Sequence, residues 1–161
     1  APFRPVPALP PDAFLEGGDV LRVGRTLFVG LSGRTGAAGV QALAEVVGPH
    51  GYAVVPVRVT GCLHLKSAVC ALDDRTVLLN PAWVSTEPFA SLLRVKVPVS
   101  EPFAANVLRL PGGILLSTAY PTTDVVLRGH VHRVITIDVS ELHKAESGLT
   151  CMSLVFQELP S

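Results

Sequence analysis

One order of elements recurs along this chain, and it restricts the fold more than any other feature. Residues 20–23 and 26–30 read as strands flanking a turn at Gly24-Arg25. A helix is expected over 37–47, where Val40, Leu43, Val46 and Val47 share one face, and Gly48 supplies its stop. Residues 52–59 read as the next strand, which closes a β-β-α-β unit. The order returns with strands at 63–71 and 77–79 around Asp73-Asp74, a short helix-like piece at 88–92, and an extended run at 93–99. It returns again with strands at 106–110 and 114–117 around Pro111-Gly112-Gly113, a polar helix near 122–127, and a strand at 134–139. A period of about forty to fifty residues marks a repeated architecture. Residue identity between repeats is low, so element order carries the inference.

Two further segments fall outside the three units. Residues 150–156 read as a strand that opens another module, and the Pro-rich start, with strand-like residues 3–8, reads as the end of one. Both suggest a larger ring of which part is missing; the plainer alternative is two edge strands. The chain also begins without an initiator Met, so it is expected to be processed, trimmed or taken from within a longer protein.

The apolar content is high, at 48% hydrophobic against 16% charged residues with mean hydropathy +0.46. Even so, the apolar runs are strand-sized and fall short of the ~18 residues that span a bilayer. They fit strands buried on both faces, within 161 residues that suffice for one domain and a real core. Zero formal net charge and the lack of basic runs argue against nucleic-acid or anionic-membrane partners. The start has no charged and apolar signal-like segment. Three cysteines make an odd, sparse set that fits a reducing, cytoplasmic setting. Cys62 and Cys70 read as packing residues in or beside apolar strands, and no pair has zinc-ligand spacing. His130-Val131-His132 reads as a solvated edge.

Three separated segments supply the parts of a nucleophilic centre: Leu15-Glu16-Gly17-Gly18-Asp19, Leu63-His64-Leu65-Lys66-Ser67 and Gly148-Leu149-Thr150-Cys151. A carboxylate, an imidazole and a thiol together can form a thiolate and protonate a leaving group. Taken singly each has a plain reading: Cys151 as a core thiol in an apolar run, His64 as a satisfied strand residue, Glu16 as a strand end before a turn. Gly17 and Gly18 fit close backbone packing or positive φ, and Asp19 reads as a turn-capping structural residue.

These segments, with Phe28-Val29-Gly30-Leu31-Ser32-Gly33-Arg34-Thr35, Ala104-Ala105-Asn106 and Ser140-Glu141-Leu142-His143-Lys144, occur in the order found in dimethylarginine dimethylaminohydrolases. The chain resembles that family, part of the guanidine-modifying or pentein superfamily, over nearly its whole length. The resemblance implies an α/β propeller of five β-β-α-β blades, of which this sequence resembles about the C-terminal three, residues 1–161 forming one domain. It implies hydrolysis of Nω-methylated arginine to citrulline and a methylamine through a covalent cysteine intermediate, without metal or cofactor. Cys151 resembles the nucleophile, His64 the acid/base and Glu16 the carboxylate that orients it. Arg34 resembles the arginine that grips the substrate's carboxylate, and Ala145 the position whose carbonyl meets its α-amino group. Lys66 and Thr150 depart from the arginine deiminase pattern, which has an acidic residue and an arginine there. Deiminase or other guanidine-hydrolase activity, and a non-catalytic subunit, remain alternatives. The carboxylates that would face a guanidinium match no segment here, so the implied partners are a methylated arginine and the missing propeller half, as part of the same or a second chain; a homodimer is compatible with this.

Overall fold

A computed structural model describes residues 8–155. The strand expected at 3–8 lies outside the described residues except for Ala8, which is in no strand. The three expected units form three separate three-stranded sheets. The first contains β1 (Val20–Val23), β2 (Thr26–Leu31) and β3 (Ala53–Arg58), with α1 (Ala37–Val47) in the crossover. Here β2 is central, antiparallel to β1 in the register Val20↔Val29 and parallel to β3 in the register Val29↔Pro56. The second contains β4 (Val69–Ala71), β5 (Thr76–Leu79) and β6 (Leu93–Lys96); the third contains β7 (Leu108–Leu110), β8 (Gly113–Ser117) and β9 (Val134–Ile137). Both repeat the antiparallel-then-parallel pairing around a central second strand. The third crossover holds a helix, Pro121–Arg128, whereas the second has only a 3₁₀ turn at Glu87–Phe89.

Period-two alternation explains how the sheets are joined. In β5, Val77 and Leu79 face one core and Leu78 another; in β4, Val69 and Ala71 face the first and Cys70 the second. The first core joins these residues to Leu21, Phe28 and Val57 of the first sheet, where Phe28 and Phe89 stack with ring centroids 4.6 Å apart. The second joins Cys70 and Leu78 to Ile114, Leu116 and Leu127 of the third unit. The middle sheet is therefore buried on both faces, as the apolar runs required. On the far face of β2, Leu27 and Val29 pack against Val40 of α1, with Leu43 and Val47 beside them.

The structure corrects two expected strands. Residues 63–71 are not one strand: a short helix, α2 (Leu65–Ala68), precedes β4. The Leu65 N–H is taken by the Asp19 carboxylate and the Ser67 N–H by the His64 carbonyl, so the backbone turns before it can enter a ladder. The expected strand at 150–156 is also absent over its described part, which is a turn through Cys151 and Met152 followed by irregular backbone. No described strand pairs with it, and an extended segment without a ladder partner has no hydrogen bonds to hold it as sheet. With α3 denoting Pro121–Arg128, a second helix unforeseen from sequence, α4 (Ser140–Lys144), leads into this turn.

Candidate active site

Asp19, fully buried at the end of the 3₁₀ turn Gly17–Asp19 just before β1, organises the first half of the site. One carboxylate oxygen accepts from Leu65 N at 2.8 Å, the other from Ser32 Oγ at 2.7 Å. Ser32 Oγ accepts in turn from Arg34 N at 3.0 Å, fixing the loop after β2. Buried Thr35, in the same loop, takes the Glu16 N–H on its hydroxyl at 3.0 Å. Three segments distant in sequence, carrying Glu16, Arg34 and His64, are thus tied by hydrogen bonds to two buried side chains. The turn-capping role expected for Asp19 is a structural one, across the fold rather than within a turn.

On this frame Glu16 bridges two cations or potential cations. Its Oε2 lies 2.5 Å from His64 Nε2 and its Oε1 3.1 Å from Arg34 Nε. His64 is the most sheltered of the three side chains, at 17% exposure against 41% for Glu16 and 55% for Arg34. The bond to Nε2 leaves Nδ1 as the ring nitrogen through which a proton can move. Gly18 lies against the face of the imidazole: a Cβ there would come 2.6 Å from its Cγ. Gly17 has open space at the same point, so close packing is a property of Gly18 alone.

Cys151 sits apart from this bridge, on the wall of a cavity of about 550 Å³. That wall also includes Cys62, Leu63 and Ser67, from the segment around His64, together with Asn106 and Glu146. His64, Glu16, Arg34 and Ala145 are not part of it. The structure therefore joins Glu16, His64 and Arg34 by direct contact and brings Cys151 to the residues flanking His64. Ala145 is an exposed residue at the end of α4, its N–H bonded to the His143 and Leu142 carbonyls, and it precedes Glu146, whose φ is +54°.

The three thiols differ in setting. Burial pushes Cys62 up to about 11, outweighing an opposing backbone hydrogen bond at His64, and pushes Cys70 up to about 12. Cys151 is exposed. Cys62 and Cys70 pack against the first and second cores respectively, in keeping with their reading as packing residues. Among the described residues no group of three or more His, Cys, Asp or Glu could hold a metal ion, and no helix is long and apolar enough to cross a membrane. His130 and His132 are exposed beyond α3. Tyr120 and His143, which sequence reasoning left unassigned, line the cavity with their rings 5.8 Å apart. His143 at least lay in a quoted motif; nothing local distinguishes Tyr120.

No family model matches the chain. It is 41% identical over 146 residues to the N(G),N(G)-dimethylarginine dimethylaminohydrolase of Streptomyces coelicolor, covering 90% of this chain and 55% of that protein. It is 32% identical over 142 residues to the enzyme of that name from Pseudomonas aeruginosa, covering 88% and 56%. Among solved structures it superposes on the Pseudomonas aeruginosa protein, as a cysteine-to-serine mutant complexed with citrulline, with a TM-score of 0.82 and 29% identity over 92% of this chain and 58% of that one. The chain spans a little over half the length of the curated relatives it matches.

Proposed function

From this kinship with the dimethylarginine dimethylaminohydrolases, whose pentein-type α/β fold the chain shares, we propose that it supplies the nucleophile, acid/base and orienting carboxylate for hydrolysis of Nω-methylated arginine. The bridge from Glu16 to both His64 and Arg34 carries the reading. The Cys151 thiolate attacks the guanidinium carbon, forming a C–S bond. His64 donates a proton to the departing amine, and the C–N bond breaks to leave an S-alkylthiouronium. Water then gives a proton to His64 and adds to the same carbon; the C–S bond breaks, releasing citrulline and restoring the thiolate. An imidazole suits both transfers because its unperturbed pKa of ~6.5 lies near neutrality. Glu16 holds the ring in place, as the third member of a triad does. Arg34 keeps its two terminal nitrogens for the substrate's carboxylate while its Nε rests on Glu16, and the Ala145 carbonyl receives the α-amino group.

A buried guanidinium needs facing carboxylates, since an unpaired buried charge is costly. Among the described residues, Glu146 is the one acid lining the cavity beside Cys151. The remaining carboxylates come, on this reading, from further blades of a five-bladed propeller, in the same or a second polypeptide, with residues 1–161 as one domain of three blades. Lys66 and Thr150 favour methylated arginine over the deiminase substrate. The sparse free thiols suit a reducing, cytoplasmic setting.

Combining the chain with the N-terminal blades of a full-length relative should yield citrulline and dimethylamine from dimethylarginine, and Cys151→Ser should abolish both. Full turnover by Cys151→Ser would remove the nucleophile assignment; ammonia from arginine as the main product would favour the deiminase alternative.

A further inference from the structure

One quoted motif, Ala104-Ala105-Asn106, has no part in the chemistry above, yet it reaches the segment that carries the thiol. We propose that Asn106 is a positioning residue for Cys151, an inference that rests on reading Cys151 as the nucleophile. Asn106 is built on rigid backbone: Ala104 and Ala105 are fully buried, and its own N–H is bonded to the Phe103 carbonyl at 3.1 Å. Its Oδ1 accepts from Thr150 N, one residue before the thiol, at 3.1 Å. The flat amide also lies against Gly148, where a Cβ would come 2.9 Å from its Cγ and Nδ2. Any side chain at Gly148 would push the amide away, so the glycine and the asparagine fit as a pair.

The Cys151 segment has little else to fix it. Leu149 is buried and Met152 N bonds to the Gly148 carbonyl at 3.3 Å, but among the described residues the Asn106 contact is the only side-chain hydrogen bond made to residues 145–155. Fixing the Thr150 N–H fixes the plane of the Leu149–Thr150 peptide, one residue ahead of the thiol. Because Asn106 and Cys151 line the same cavity, the contact sets where the sulfur stands relative to anything bound there. Displacing a reacting atom by about 1 Å can cost on the order of a hundredfold in rate.

The test measures the rate at which 2-chloroacetamidine alkylates Cys151 in the full chain, followed by peptide mass spectrometry across pH 5–10 in wild type, Asn106→Leu and Asn106→Asp. Asn106→Leu removes the acceptor and should lower the limiting rate roughly tenfold or more, with circular dichroism unchanged. Asn106→Asp keeps the acceptor but places a negative charge beside the segment, so its pH–rate profile should move to higher pH while recovering most of the limiting rate. Should Asn106→Leu fail to fold, the Asn106→Asp profile decides the matter. Wild-type rates in Asn106→Leu, or an unmoved profile in Asn106→Asp, would overturn the positioning role alone. A wild-type chain in which the reagent does not select Cys151 over Cys62 and Cys70 would overturn the nucleophile reading, and the positioning role with it.

Discussion

Asp19 Oδ1 accepts the main-chain N–H of Leu65 at 2.8 Å, across 46 residues of sequence. Through this bond the turn that leads into β1 dictates where His64 stands, since His64 is the residue immediately before that N–H. The second oxygen of Asp19 holds Ser32, and through it the loop bearing Arg34. A single buried carboxylate thus connects the proposed acid/base segment to the proposed substrate-gripping segment.

Replacing it should therefore damage structure and chemistry together. Asp19→Leu strands the buried Leu65 N–H, which costs about 1–3 kcal/mol, and takes the acceptor from the part-buried Ser32 hydroxyl, which costs about 0.5–1.5 kcal/mol more. The expected result is a loss of about 2–5 kcal/mol in urea denaturation. Ser32→Ala leaves the Leu65 contact intact and removes the part-buried bond to Asp19 and the exposed one from Arg34 N, so it should cost only about 1 kcal/mol. Equal stabilities for the two variants would contradict the role assigned to the Leu65 contact.

The two glycines beside Asp19 provide a sharper contrast. Gly18→Ala would place a methyl 2.6 Å from the His64 ring, which must move away from Glu16 to make room. Gly17→Ala meets nothing within 4 Å. In the reconstituted enzyme kcat should fall at least tenfold for Gly18→Ala and stay within about twofold for Gly17→Ala, with KM little altered in either. The His64 ring resonances in an NMR spectrum of the chain should shift in the first variant and not in the second.

How much of this was legible depended on whether the cause of a feature was local. The limits of α1 could be read from sequence because Val40, Leu43 and Val47 recur at helical spacing and meet the β2 face. Turns between paired strands were legible for the same reason. The segment at 63–71 misled because Leu65, Val69 and Ala71 look like strand residues, while the turn into α2 is imposed by Asp19 from another part of the chain. Residues 150–156 mislead because apolar character normally signals burial in a sheet, whereas Met152, Leu154 and Val155 are exposed, at 62%, 94% and 58%. Within the site, motifs marked Glu16 and His64, whose contact the structure displays. The bond between Asn106 and Thr150 could not be read, since nothing in either segment names its partner 44 residues away.

Glu101 offers a test by pH. Its carboxylate accepts Thr122 N and Thr123 N, each at 2.8 Å, and Thr123 Oγ1 at 2.6 Å, capping the N-terminus of α3. Burial acts to raise its pKa, but the hydrogen bonds from Thr123 and Thr122 together outweigh this and hold it below the usual value of 4.5. A carboxylate depressed in the folded state stabilises the fold above its unfolded pKa, and that contribution fades as pH falls through the folded value. Glu101→Gln should thus unfold more easily than wild type at pH 7, by about 1–2 kcal/mol, and the gap should close on acidification below pH 4. A gap that is constant from pH 7 to pH 3 would show that charge plays no part in the cap.

Glu16 serves both His64 and Arg34, and the two contacts should separate kinetically. Glu16→Gln keeps the side chain's shape but removes the charge that, in the proposed mechanism, steadies the protonated ring during amine departure. In the reconstituted enzyme it should lower kcat by about 10²-fold or more with a modest change in KM. Arg34→Lys leaves the Glu16–His64 contact in place and substitutes a point charge for a planar fork, so the loss should fall mainly on KM for dimethylarginine, by about tenfold or more. A substrate analogue lacking the α-carboxylate separates the roles further: Arg34→Lys should handle it as wild type does, whereas Glu16→Gln should remain slow. If both variants lose kcat alone and in proportion, Arg34 acts by holding Glu16 in place, and the carboxylate grip must be assigned elsewhere.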